Sequence, residues 1–184
     1  MPARDIDGVA ARRGARNSRA VMSDSLQRPS SALPVDRRQS PVAAGIQRGV
    51  RRLFAQRGHV TLPEFTLANG RRADVIALAP DGGLTIVEIK SSVADFRADQ
   101  KWPDYEEFCD EFYFAIPETV PFGILPEDRG LILADSFGAA IMRHAARHAL
   151  TGARRKAVTI RFAHAAAGLL HALADPDGVW DGGL

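Results

Sequence analysis

The chain opens without an apolar period. Residues 1–41 mix Ser, Arg and Pro and offer neither stripe nor alternation to bury, which predicts a disordered leader. From Val42 the pattern changes. Ile46, Val50, Leu53 and Phe54 recur at the spacing of one helix face, and Gly58 behind Arg57 marks the stop. Three strand-like runs follow. His59 to Leu67 is closed by the turn pair Asn69-Gly70, Arg71 to Ala79 comes next, and Leu84 to Lys90 lies beyond Pro80-Asp81-Gly82-Gly83. Val93 to about Asp110 reads as helical, with Ser92 and Asp95 as a capping pair and Pro103 forcing a break or a fresh first turn. Phe112 to Ile116 and Leu131 to Ala134 suit buried strands, with a further strand at Ala139 to Arg143. The Ala-rich stretch from Ala153 to about Leu173 reads as a long helix.

The order helix, three strands, helix, strand, with more strand and helix appended, predicts an α/β (α+β) sandwich. Its central mixed sheet has the core order αβββαβ and is flanked by helices. One domain is expected over residues 42–176, after the leader 1–41 and before a tail 177–184. A length of 184 residues supports one substantial core.

Composition narrows the class. The hydrophobic share of 46% and charged share of 25% are those of an ordinary soluble domain. Cys109 is the sole cysteine, so no intramolecular disulfide or cysteine zinc spacing exists, which suits a reducing cytoplasm. No run approaches the ~20 apolar residues of a bilayer span, and the N-terminal arginines lack the apolar core of a secretory signal. No membrane partner is expected. Met22 offers an alternative start of translation. The net charge of +2 is unevenly spread: residues 1–57 carry 12 arginines against 4 acids, and the remainder is acidic. The basic end is a candidate handle for nucleic acid.

The chemistry-bearing stretch is Asp74, then Glu88-Ile89-Lys90. Alternation along a strand points Glu88 and Lys90 to one face and Ile89 to the other. Whether Asp74 joins them depends on the connection. A three-residue loop Asp81-Gly82-Gly83 sets Asp74 opposite Lys90, on the shared face. An even-length loop sets it opposite Ile89, and a β-bulge must then restore the face. Two carboxylates and an ammonium on one face suit a hard divalent cation with water and phosphate, Mg²⁺ or alternatively Mn²⁺. The Ile89 carbonyl is a further ligand, and the lysine can position the attacking water or help remove its proton.

At these residues the chain resembles a known group. Gly70-Arg71-Arg72-Ala73-Asp74-Val75 and Val87-Glu88-Ile89-Lys90-Ser91-Ser92 are similar to the PD-(D/E)XK nuclease superfamily, whose core order is the one read above. More narrowly, Asp95-Phe96-Arg97-Ala98-Asp99, Lys101-Trp102-Pro103-Asp104-Tyr105, Cys109-Asp110 and Phe112-Tyr113-Phe114-Ala115 resemble the MmcB family of bacterial DNA-repair proteins. So do Gly130-Leu131-Ile132, Ala134-Asp135 and Ala153-Arg154-Arg155-Lys156-Ala157. The resemblance spans about Val42 to Pro176. It implies a restriction-endonuclease-like sandwich and a DNA-repair nuclease with Asp74 and Glu88 as metal ligands and Lys90 as catalytic lysine. Ala73 replaces the motif's usual proline. Many members add an upstream acid, for which Glu64 is the candidate, and Gln100 is placed to orient water.

Arg71, Arg72, Arg97 and Lys101 neighbour the motif, and Arg154-Arg155-Lys156 opens a helix in an acidic half; these are the expected phosphate contacts. Trp102, Tyr105, Phe108 and Phe112 are spaced for core packing. Other repair proteins are conceivable partners. Two rival readings use the same residues: a non-catalytic DNA-binding repair factor on a nuclease fold, and a protein-interaction module whose charge cluster is structural.

Overall fold

The computed structural model describes residues 40–99 and 101–178. Residues 1–39 of the expected leader, Gln100 and most of the expected tail lie outside them; Pro41, the last residue assigned to the leader, is instead helical. Helix α1 (Pro41–Gln56) begins where Ser40 Oγ accepts the Ala43 N–H at 3.1 Å and proline takes the first turn. It buries Ile46, Val50, Leu53 and Phe54, the stripe expected from the sequence. Gly49 permits the close approach. A Cβ there would lie 2.3 Å from the Asp135 carbonyl oxygen and 2.4 Å from that of Gly138.

Six strands form one sheet in sequence order: β1 (Val60–Thr66), β2 (Arg72–Leu78), β3 (Leu84–Ile89), β4 (Glu111–Ile116), β5 (Gly130–Ala134) and β6 (Ala139–Arg143). β1, β2 and β3 form an antiparallel meander, β4 and β5 run parallel to β3, and β6 turns back antiparallel. The crossover from β3 to β4 carries α2 (Val93–Ala98) and a 3₁₀ helix at Trp102–Phe108. The break foreseen at Pro103 is thus real, with the proline in the first turn of the 3₁₀ segment. The long helix α3 (Gly152–Ala174) completes the domain.

The sheet is covered on both faces. On one, α1 packs on Val75, Ala77, Val87, Ile89 and Ala115. On the other, Tyr105, Phe108 and α3 residues Val158 and Phe162 pack on Ile76, Leu84, Ile86, Phe112 and Phe114. The Tyr105 ring stacks on Phe112 at 6.3 Å, so the aromatic group serves the core as expected.

Two expectations need correction. Helix α3 is long and apolar enough, by length and composition, to cross a membrane, because its many alanines raise the mean hydropathy without a continuous run of large apolar side chains. Part of one face is spent on the core, where Ala165, Ala166 and Leu169 pack beside Val158 and Phe162. The β2–β3 loop is Pro80-Asp81-Gly82, closed by the Ala79 N–H bonding to the Gly83 carbonyl at 2.8 Å, with Gly82 at φ 85°. Leu78 therefore faces Leu84, two residues from the partner that the expected loop gave, and the pairing runs only to Val75–Val87. Asp74 and Glu88 meet beyond that last pair, where both line one cleft.

Candidate active site

The backbone ladder between β2 and β3 ends at Val75–Val87. Beyond it the two strands exchange side-chain contacts. Asp74 Oδ2 accepts the Ile89 N–H at 2.7 Å, and Glu88 Oε1 accepts the Asp74 N–H at 3.3 Å. Each carboxylate thus accepts a backbone N–H of the other strand's segment, so neither donor is left unpaired. β1 bends at the same level. Glu64 has φ 51°, unlike every other described non-glycine residue, and Leu62 and Phe65 on either side of it share one core despite their odd spacing.

These distortions open a cleft of about 430 Å³, lined among others by Glu64, Arg72, Asp74, Glu88, Ile89, Lys90, Asp95, Asp99 and Tyr105. Glu88 and Lys90 are both only 3% exposed. Lys90 Nζ lies 3.7 Å from Glu88 Oε2 and 2.5 Å from Asp99 Oδ2. Burial raises the Asp74 carboxyl to about 6, reinforced by Glu64 and opposed by the Ile89 N–H and Lys90. Burial, then the Asp74 charge, pushes Glu88 well above the usual range. Burial disfavours the Lys90 ammonium, but the Asp99 hydrogen bond and the Glu88, Asp99 and Asp74 charges overcome it and raise its pKa. Two desolvated carboxylates repel one another here, and the adjacent ammonium only partly offsets them.

That donor set fits a hard divalent cation. Asp74, Glu88 and the Ile89 carbonyl are oxygen donors, and like-charge repulsion between the carboxylates is what a cation relieves. Among the described residues no three His, Cys, Asp or Glu side chains gather as a self-sufficient metal cage.

The other expected residues divide. Glu64 reaches the cleft, paired with Arg72 Nε at 2.9 Å and bonded by Gln47 Nε2 at 3.0 Å. Arg72 lines the cleft; Arg71 pairs with Asp104 at 2.7 Å, and Arg97 and Lys101 are exposed. The Arg154-Arg155-Lys156 group does not join them. Arg155 donates to buried Asp110 at 2.6 and 2.7 Å and to the Gly82 carbonyl, and Asp110 also accepts the Leu84 N–H at the opposite end of β3. Four residues of strand separate Leu84 from Glu88, roughly 13 Å. Arg154 pairs with Glu107 at 3.0 Å over the Phe108 ring, and Lys156 is exposed. For Arg155 the expected phosphate contact gives way to a structural one, because a buried carboxylate claims the guanidinium.

Three contributors escaped the sequence reading. Gln47 binds Glu64 and the Asp74 carbonyl. Its signal was present, since it is a polar residue three before Val50 and seven before Phe54 on the apolar stripe. Asp95 accepts from Ser91 N at 2.9 Å and Ser91 Oγ at 3.1 Å, tying the end of β3 to α2. Asp99 holds Lys90 across a helix, and no local periodicity announces it. A larger depression of about 640 Å³ includes Asp110, but there Arg155 and the Leu84 and Leu150 N–H groups overcome burial and hold the carboxyl down to about 2. Its polar centre is already satisfied.

Fold and site together define a mixed-sheet α/β sandwich with a carboxylate pair and a lysine where two central strands part. The chain belongs to the MmcB-like DNA repair protein family, whose model matches residues 30–177. It is similar to a solved protein of unknown function from Silicibacter pomeroyi, SPO1766, at 41% identity and a TM-score of 0.74. The match covers 77% of this chain and 97% of that one. No curated protein matches the chain.

Proposed function

We propose that this family member is a metal-dependent DNA-repair nuclease of the PD-(D/E)XK kind, hydrolysing phosphodiester bonds. The observation that carries the reading is the convergence of Asp74 and Glu88 from two parting strands, each bonded to the other strand's backbone, with Lys90 beside them. Asp74, Glu88 and the Ile89 carbonyl would hold Mg²⁺ or Mn²⁺, which when bound activates water and offsets charge on the phosphoryl oxygens. Lys90 is fixed as an ammonium donor by Asp99, and its remaining N–H bonds are available to a phosphate oxygen or the attacking water. Arg72 stands at the cleft to contact the adjoining phosphate.

Charge supports the order of events. The cleft carries more acids (Glu64, Asp74, Glu88, Asp95, Asp99) than basic groups (Arg72, Lys90), so a bound cation would favour the approach of a phosphate. The test is incubation of the purified protein with branched, nicked and single-stranded DNAs, with Mg²⁺, with Mn²⁺ and with chelator. Cleavage that needs the metal and disappears in Asp74→Asn is expected. Absence of cleavage together with metal-independent DNA binding would instead establish a binding platform.

A further inference from the structure

We infer that Asp99 is a positioning residue whose task is to hold Lys90 away from Glu88 and so keep the carboxylate pair open to a cation; this rests on the reading above. Lys90 Nζ is almost completely buried and has two acidic neighbours of unequal proximity, Asp99 at 2.5 Å and Glu88 at 3.7 Å. The shorter contact fixes the ammonium. Asp99 is itself fixed, because its second oxygen, Oδ1, accepts the Lys101 N–H at 2.9 Å, and it follows directly on the last turn of α2. That helix is tied to the end of β3 by Asp95, which accepts from both Ser91 N and Ser91 Oγ. The lysine just past β3 and the acid that restrains it therefore belong to one braced segment.

The arrangement matters because a buried ammonium seeks the nearest carboxylate. Without Asp99, the available neighbour is Glu88. An ion pair there would occupy the carboxylate that the site needs for metal and would bring a positive charge against the incoming cation. Asp99 thus separates two roles that would otherwise cancel. Glu88 remains a ligand, and Lys90 remains a donor toward the substrate. Partners that orient a metal's ligands commonly change metal affinity by about 10- to 100-fold when removed, and Asp99 acts in that manner through Lys90.

The experiment compares wild type, Asp99→Ala, Lys90→Ala and the double variant Asp99→Ala/Lys90→Ala. Mn²⁺ affinity is measured by calorimetry, and crystal structures are determined for wild type and Asp99→Ala without metal. Asp99→Ala is expected to weaken Mn²⁺ binding about tenfold or more, while removing Lys90 in the same chain restores it. In the crystal of Asp99→Ala, Nζ is expected within hydrogen-bond distance of Glu88. A general structural role for Asp99 predicts no rescue by Lys90→Ala, and that result overturns the inference. So does a crystal of Asp99→Ala in which Nζ keeps its separation from Glu88. If wild type binds no Mn²⁺, the nuclease reading fails, and with it the inferred purpose of the Asp99 contact, while the crystal structures still decide whether Asp99 restrains the lysine.

Discussion

Replacing Asp74 by asparagine should make the metal-free protein more stable while removing its activity. The carboxyl is raised from an ordinary 3.8 to about 6, chiefly by burial. The folded chain therefore binds this proton more tightly than the unfolded chain. The associated stability is fully present below pH 3.8 and is lost as pH rises through about 6. A rise from 3.8 to about 6, at about 1.4 kcal/mol per tenfold change in proton affinity, places the cost of the ionised group near 3 kcal/mol at most. Asparagine preserves an oxygen acceptor for the Ile89 N–H and removes the charge. Its advantage in urea unfolding with chelator should be on the order of 1–3 kcal/mol at pH 8 and shrink toward zero near pH 4. Excess Mg²⁺ should then stabilise wild type, by about 2.7 kcal/mol at a hundred times its dissociation constant, and leave the variant nearly unmoved. The reasoning fails if Asp74→Asn is the less stable protein at pH 8, or if its advantage does not vary with pH.

Lys90→Ala should retain metal binding and most DNA affinity, with cleavage reduced by a factor on the order of 10² or more in single-turnover assays; unchanged cleavage would reduce the lysine to a bystander. Arg155→Ala should cost about 3–5 kcal/mol in denaturant unfolding at neutral pH, because it leaves the buried Asp110 carboxylate without its ion-pair partner. Its effect on DNA affinity should be small, and a large loss of binding without a loss of stability would return it to the phosphate contacts. Gly49→Ala should destabilise by roughly 1–3 kcal/mol, read as a lowered melting temperature, since the new methyl group meets two backbone carbonyls that cannot rotate away.

Much of this protein is written in local pattern. The stripe through Ile46, Val50 and Phe54 defines α1, the apolar runs divided by Asn69-Gly70 and Pro80 to Gly83 define the meander, and alternation alone puts Glu88 and Lys90 on one face. These features depend on residues a few positions apart, where backbone geometry dictates direction. Register was less secure. The expected three-residue loop lies one residue earlier, and Asp74 meets Glu88 beyond the last paired residues, Val75 and Val87, through side-chain bonds to backbone N–H groups. What local pattern does not contain is who neutralises whom. Asp99 reaches Lys90 over an intervening helix, Gln47 reaches Glu64 from another element, and Arg155 is drawn to Asp110 across 45 positions. A charge is a property of one residue, but its desolvation and its partner are set only when distant segments pack. The cleft itself arises the same way, where the pairing of β2 and β3 ends and each strand's carboxylate accepts a backbone N–H from the other.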